Sequence, residues 1–196
     1  MNVFVFSSMK NIFILQFAFL IILISCTKEI DEAAADYFPL HVGNEWDYIK
    51  GLQVLIDVKE TINGKEYFRF IESYDTGTDT SYYRNERNKI YKTTGNGHEY
   101  LLFDLEKRVG KHWKLSFTPD TEFEYKAEIQ DKNYRLETSN HTFENCYHFY
   151  YDFPDAIDDE FSIFLAPGIG IVQEQGQVRP ESGLNRVIID GEETFF

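Results

Sequence analysis

Apolar and polar residues alternate with period two along much of this chain. The clearest run is 121–130, where Phe123, Tyr125, Ala127 and Ile129 alternate with Glu122, Glu124, Lys126, Glu128 and Gln130. Successive side chains of a strand point to opposite faces, so this run makes one apolar face and one charged face. Tyr134, Leu136 and Thr138 continue the pattern around Arg135 and Glu137. Val54, Ile56 and Val58 alternate with Leu55, Asp57 and Lys59, and Phe161, Ile163 and Leu165 make a further face. Asn63-Gly64 supplies the positive φ angles of a tight hairpin, which predicts antiparallel pairing of 52–62 with 65–74. Polar and glycine-rich stretches at 75–79, 94–97, 131–133 and 168–170 predict more turns. The pattern therefore predicts an all-β fold: a single curved antiparallel meander of about ten strands. Closure as a barrel, a half-barrel or a sandwich is left open. Residues 154–160 are the one candidate for a helix over an opening.

The start of the chain follows another pattern. Ile12 to Ile24 is an apolar run of about 13 residues broken only by Gln16. A bilayer core needs roughly 20 residues, so the run is too short to span one, and its length suits the apolar region of an export signal. It ends at Leu23-Ile24-Ser25-Cys26, then turns polar at Thr27-Lys28-Glu29. A Leu, a spacer, a small residue and Cys resemble the bacterial lipobox. That resemblance implies cleavage between Ser25 and Cys26 and acylation of Cys26. Translation from Met9 would give the segment the positive start, Lys10, that 1–8 lacks; Met1 remains the alternative. The expected organisation is a signal peptide over 1–25, the lipidated Cys26 and a flexible tether to residue 36, and a β domain over 37–196. Two or more acyl chains hold a protein stably on a membrane where one does not.

Removing 1–25 leaves 171 residues (196 − 25), enough for one domain with its own core. Lys10 is the only charge removed, so 18 basic and 33 acidic residues remain, a net of −15. That balance excludes nucleic acid and argues against a direct anionic-membrane surface; the membrane partner is reached through lipid alone. Aromatics make up 17% of the chain, as suits pleated, half-buried surfaces. Cys146 is the only thiol besides Cys26, so no internal disulfide forms once Cys26 is lipidated; it reads as a small core residue.

The segment Tyr37-Phe38-Pro39-Leu40, then Gly43-Asn44, Trp46 and Tyr48 resembles the opening of a group of small Bacteroidota lipoproteins. Leu101 to Leu105, then Gly110 and Trp113, is similar to a later region of that group, with Lys111-His112 in place of its acidic step. The segment 166–172 resembles its late glycine-containing stretch. The resemblance covers most of the chain after Cys26. It implies a cell-envelope lipoprotein, anchored at the outer membrane on either the periplasmic or the outer face. It implies no activity. The group's acidic export signal after the lipid cysteine resembles Lys28-Glu29 and Asp31-Glu32, which also read as a solvated tether.

Few residues of the chain carry a chemical signature. Asp75-Thr76-Gly77 matches the aspartic-protease tripeptide, but that chemistry needs a second such carboxylate and the chain has none; a hairpin turn is expected. The five histidines form no ligand-spaced pair. Asp152, Asp155, Asp158, Asp159 and Glu160 are dense enough to hold calcium, with a solvated acidic loop as the alternative. No nucleophile elbow or phosphate-cradling loop occurs, and no cofactor is implied. Trp46, Trp113, Tyr82, Tyr83 and Tyr150 are the candidates for a ligand or partner surface, against plain cross-strand packing. The expected function is a non-enzymatic binding or structural module for an apolar ligand, a glycan or an envelope protein; a hydrolase acting on glycan or peptide is the alternative.

Overall fold

The computed structural model describes residues 32–95, 97–119, 124–154, 156–176 and 182–196. Its strands form one antiparallel sheet that curls almost into a barrel, as the alternation predicts. Among the described residues there are thirteen strands rather than about ten. In chain order they are β1 (Glu45–Tyr48), β2 (Gln53–Ile62), β3 (Lys65–Tyr74), β4 (Gly77–Glu86), β5 (Lys89–Thr93), β6 (Glu99–Asp104), β7 (His112–Leu115), β8 (Tyr125–Glu137), β9 (Thr142–Asp152), β10 (Phe161–Ala166), β11 (Gly170–Gly176), β12 (Ser182–Ile189) and β13 (Glu192–Phe195). Strands of four residues, such as β7 and β13, are too short to display a period, so the pattern undercounts them.

The pairing path runs β6-β5-β4-β3-β2-β1-β12-β11-β10-β9-β8-β7. Two meanders therefore join where β1 pairs with β12, and the two free ends, β6 and β7, are consecutive in the chain. Side chains cross this seam to backbone acceptors. The Trp113 indole N–H donates to Leu101 O at 3.1 Å and the Tyr151 hydroxyl to Leu102 O at 2.8 Å. His98 Nε2 lies 2.7 Å from Ser116 O. On the other side, among the described residues β11 holds β12 at Gln173↔Gly183 and Glu174↔Ser182; β13 then pairs with Arg186 to Ile189 of β12.

The Asn63-Gly64 hairpin forms as expected, with Ile62 opposite Lys65 and φ of 51° and 77° in the turn. Asp75-Thr76 is likewise a two-residue turn, with Tyr74 opposite Gly77. Two expectations are corrected. Residues 131–133 are not a turn: β8 runs on to Glu137, and the polar residues form an irregularity against β9, where Asp131 pairs with His148 and Tyr134 with Cys146. A long unbroken partner keeps β8 extended, so the turn-forming side chains make a bulge, with Asp131 Oδ1 accepting from Asn133 N–H. The described residues of 154–160 form turns and bends, with no helix; Asp155 lies outside them. Thr121 to Phe123 also lie outside them; from Tyr125 the alternation holds, with Ala127, Ile129 and Leu136 buried.

Among the described residues the one α-helix, α1, is Glu32–Tyr37, mostly within the stretch expected as tether. Ala34 and Phe38 are buried. A helix end leaves carbonyls without intrahelical donors. Here the Asn85 amide donates to Ala34 O and Phe38 O, and the Gly168 N–H to Asp36 O. Phe38 enters the core against Phe70, Tyr83 and Phe103, with ring centroids 5.3–6.1 Å apart. Cys146 is fully buried, and burial pushes its thiol up to about 11, so it is a core residue with almost no thiolate at neutral pH.

Candidate functional site

Inside the barrel, side chains of β3 change character toward one mouth. Phe70 is buried, Glu72 half-buried and Tyr74 exposed, all on one face by the period of two. Around them lies a pocket of about 170 Å³ whose walls come from both meanders. Trp46 and Tyr48 of β1, Tyr83 of β4 and Phe38 supply the aromatic wall; Lys92 of β5 and Glu174 of β11 stand with Glu72 as its charged groups.

The wall is rigidly supported. Trp46 stacks on Phe70 with centroids 5.8 Å apart, and Phe70 meets Tyr83 at 4.4 Å. The Trp46 indole N–H donates to Ile169 O at 2.7 Å, and the Tyr48 hydroxyl to Ile171 O at 2.8 Å. Gly170, between those two carbonyls, has φ of 99°, and a Cβ there would lie 3.6 Å from the indole nitrogen. Glycine thus permits the left-handed turn that aims both carbonyls at the wall.

Glu72 accepts from the Ser81 hydroxyl at 2.5 Å and the Tyr74 hydroxyl at 3.3 Å, and lies 3.8 Å from Lys92 Nζ. Lys92 Nζ also sits 4.9 Å from the centre of the Tyr83 ring. Burial pushes the phenols of Tyr48 and Tyr83 well above their ordinary value, and the carboxylates of Glu174 and Glu72 push both further. Both phenols are therefore neutral at every physiological pH.

Of the five aromatic residues singled out in the sequence, the structure brings Trp46 and Tyr83 together in this pocket. Tyr82 faces the other side of the sheet, opposite Arg69 of β3. Trp113 is buried at the seam, edge-on to Phe149 at 6.2 Å. Tyr150 lies on the outer face of β9, beside a shallow depression with Tyr134, His148, Glu160 and Phe164. In that depression His148 Nε2 is 2.9 Å from Ser162 Oγ, and burial lowers the imidazole's affinity for a proton. Ser162 is paired on both sides, with Tyr150 and Gln175, so the ladder uses the backbone donors that an oxyanion would need. Inward-facing Tyr147, Phe149 and Tyr151 of the same strand are core.

Pocket residues missed by the sequence reading are Tyr48, Phe70, Glu72, Lys92 and Glu174. Their signal was a carboxylate at an apolar parity position: Glu72 follows Phe68 and Phe70, and Glu174 follows Val172. Among the described residues, no three His, Cys, Asp or Glu side chains are grouped to hold a metal ion. Of the calcium candidates, Asp158 is exposed, Asp159 and Glu160 are half-buried, and Asp155 lies outside the described residues, as do Ser25 and Cys26.

The chain is similar in structure to a protein of Bacteroides fragilis designated an exported protein with a YmcC-like fold. That match has a TM-score of 0.47 and 13% identity, over 77% of this chain and 98% of the other. It is also similar to a protein of Parabacteroides distasonis designated a lipoprotein, with a TM-score of 0.38 and 12% identity, over 85% of this chain and 100% of the other. No family model and no curated protein matches the chain.

Proposed function

We propose that this chain is a lipid-anchored protein of a bacterial cell envelope whose β domain is a non-enzymatic binding module. The observation that carries the binding role is the aromatic pocket at the barrel mouth, a concave apolar wall with a few fixed polar groups, which is the usual build of a small-ligand site. The anchoring half rests on the apolar run and Leu23-Ile24-Ser25-Cys26, with the outer membrane as the expected site of attachment.

Pocket size narrows the ligand. A void of about 150 Å³ lined by apolar side chains takes up one benzene ring. At about 170 Å³ this pocket suits a single ring or a compact apolar group, and not the long chains of a whole lipid. A glycan or an envelope protein would present one such group to it. The hydrolase alternative needs a carboxylate pair flanking a substrate. Glu72 and Glu174 share the pocket, but both oxygens of Glu72 already accept from Tyr74 and Ser81, which suits a fixed charge better than a proton donor.

Native mass spectrometry of the chain released gently from its membrane tests the binding role. A retained small compound, lost when Trp46 is changed to Ala in a protein that still folds, is the expected result. Retention unaffected by Trp46→Ala would move the site elsewhere, and a bare chain would count against a preloaded ligand.

A further inference from the structure

We propose that the mouth pocket selects a flat ring bearing a neutral hydrogen-bond acceptor, a carbonyl oxygen, which the Lys92 ammonium grips. This rests on the pocket being a binding site and names the polar group of what it binds. Three polar side chains of the wall already serve acceptors of the protein. The Trp46 indole N–H donates to Ile169 O, the Tyr48 hydroxyl to Ile171 O and the Tyr74 hydroxyl to Glu72. Lys92 differs. Among the described residues its ammonium meets the Glu72 carboxylate at 3.8 Å, longer than a hydrogen bond, and the Tyr83 ring at 4.9 Å from the centre. An ammonium carries three donor hydrogens. One can face Glu72 and one the ring, which leaves a third to donate.

The position of Lys92 fixes where that donor works. Lys92 stands directly opposite Tyr83 in the β4–β5 ladder, so both side chains leave the same face of the sheet. Trp46, Phe70 and Tyr83 are buried, whereas the Lys92 side chain is 22% exposed and stands nearer the solvent. A ring laid against the aromatic wall would hold a short substituent beside Nζ. Partial exclusion of water strengthens a hydrogen bond given by a cation. Lysine cannot accept, so the substituent must bring the lone pair. Glu72 already offsets the charge of the ammonium, so Lys92 offers a directed N–H more than an unbalanced charge. A carbonyl oxygen meets that demand; an anion would also meet the Glu72 carboxylate.

The test uses the full chain in zwitterionic micelles and follows the indole N–H resonance of Trp46. Three planar probes of one shape are titrated at neutral pH: acetophenone, α-methylstyrene with a methylene in place of the carbonyl oxygen, and benzoate. At equal free concentration acetophenone should bind about tenfold tighter than α-methylstyrene, and benzoate more weakly than acetophenone. Lys92→Met keeps the length of the side chain without its donor and should erase that preference. The ratio of the two neutral probes, compared between the two chains, cancels their partitioning into the micelle. A purely structural role for Lys92 would weaken both probes alike. In the wild type the carbonyl carbon resonance of bound acetophenone should move downfield, as it does when the oxygen accepts a hydrogen bond; that reading stands even where Lys92→Met fails to fold. Equal binding of the two neutral probes, a preference that survives Lys92→Met, an unmoved carbonyl carbon or tightest binding of benzoate would overturn the carbonyl inference while leaving the pocket a binding site. No shift of the Trp46 indole by any probe at saturating concentration, in a chain whose spectrum shows it folded, would overturn both.

Discussion

Arg84 and Glu99 meet in a two-pronged ion pair across the intervening strand β5, with Nε to Oε2 at 2.6 Å and Nη2 to Oε1 at 2.8 Å. The guanidinium lies over Tyr91 of β5, 4.0 Å from the ring centre, and the Tyr67 hydroxyl of β3 donates to the same carboxylate. Four neighbouring strands are thus tied together on the face opposite Phe70 and Tyr83. Arg84 is nearly buried, so loss of its partner would strand a charge.

Acid should remove the stability this tie contributes, although Glu99 itself stays ionised in the folded chain down to about pH 2. The Arg84 hydrogen bonds hold the Glu99 carboxyl down to about 2, against 4.5 for the free group. Glu99 therefore binds its proton more weakly folded than unfolded. Its contribution is complete above pH 4.5 and is lost as pH falls toward about 2. At neutral pH that contribution is on the order of 2 kcal/mol. Denaturant melts of the wild type should lose stability through this window. Glu99→Gln should start lower and show a flatter acid limb; an unchanged acid limb would refute the assignment.

The seam between β6 and β7 should open when its latch is removed. Trp113→Phe keeps an aromatic ring against Phe149 but deletes the indole donor to Leu101 O. A loss of about 1–2 kcal/mol is expected, part of it from the unpaired carbonyl. Amide exchange in β6 and β7 should quicken more than in β2 and β3. Uniform quickening across the sheet would show that the seam is not a separate weak point.

Gly176 matters for space, not for dihedral freedom. A Cβ there would come within 2.7 Å of Phe161 Cβ and 2.8 Å of Glu160 O, and the carbonyl belongs to backbone that cannot simply rotate away. Gly176→Ala should cost about 1–3 kcal/mol by forcing β10 and β11 apart. Thermal melting checks this; a melting temperature equal to the wild type would mean that β10 yields freely.

Cys26→Ala should move the protein from the membrane to the soluble fraction and abolish labelling by radioactive palmitate. Continued membrane association of a processed, folded Cys26→Ala chain would remove the lipid anchor from the proposed function.

The strand character was legible because burial of one sheet face imposes a period of two on the sequence, as at Ala127 and Ile129. The Asn63-Gly64 hairpin was legible because its backbone angles demand those residues. The expected export signal likewise lies in a local run of apolar residues and one cysteine. Closure was not legible: the pairing of β1 with β12 brings Trp46 opposite Val187, and no local pattern records such a partner. Nor was the role of 131–133, where turn-forming side chains yield to the long partner strand β9. Composition marked Trp46, Trp113, Tyr82, Tyr83 and Tyr150 alike. Strand parity and position around the sheet then separated a pocket wall from a seam latch and two outer-face residues. The pocket itself joins residues from 38 to 174, so only the curled sheet could bring Glu72, Lys92 and Glu174 to one aromatic wall.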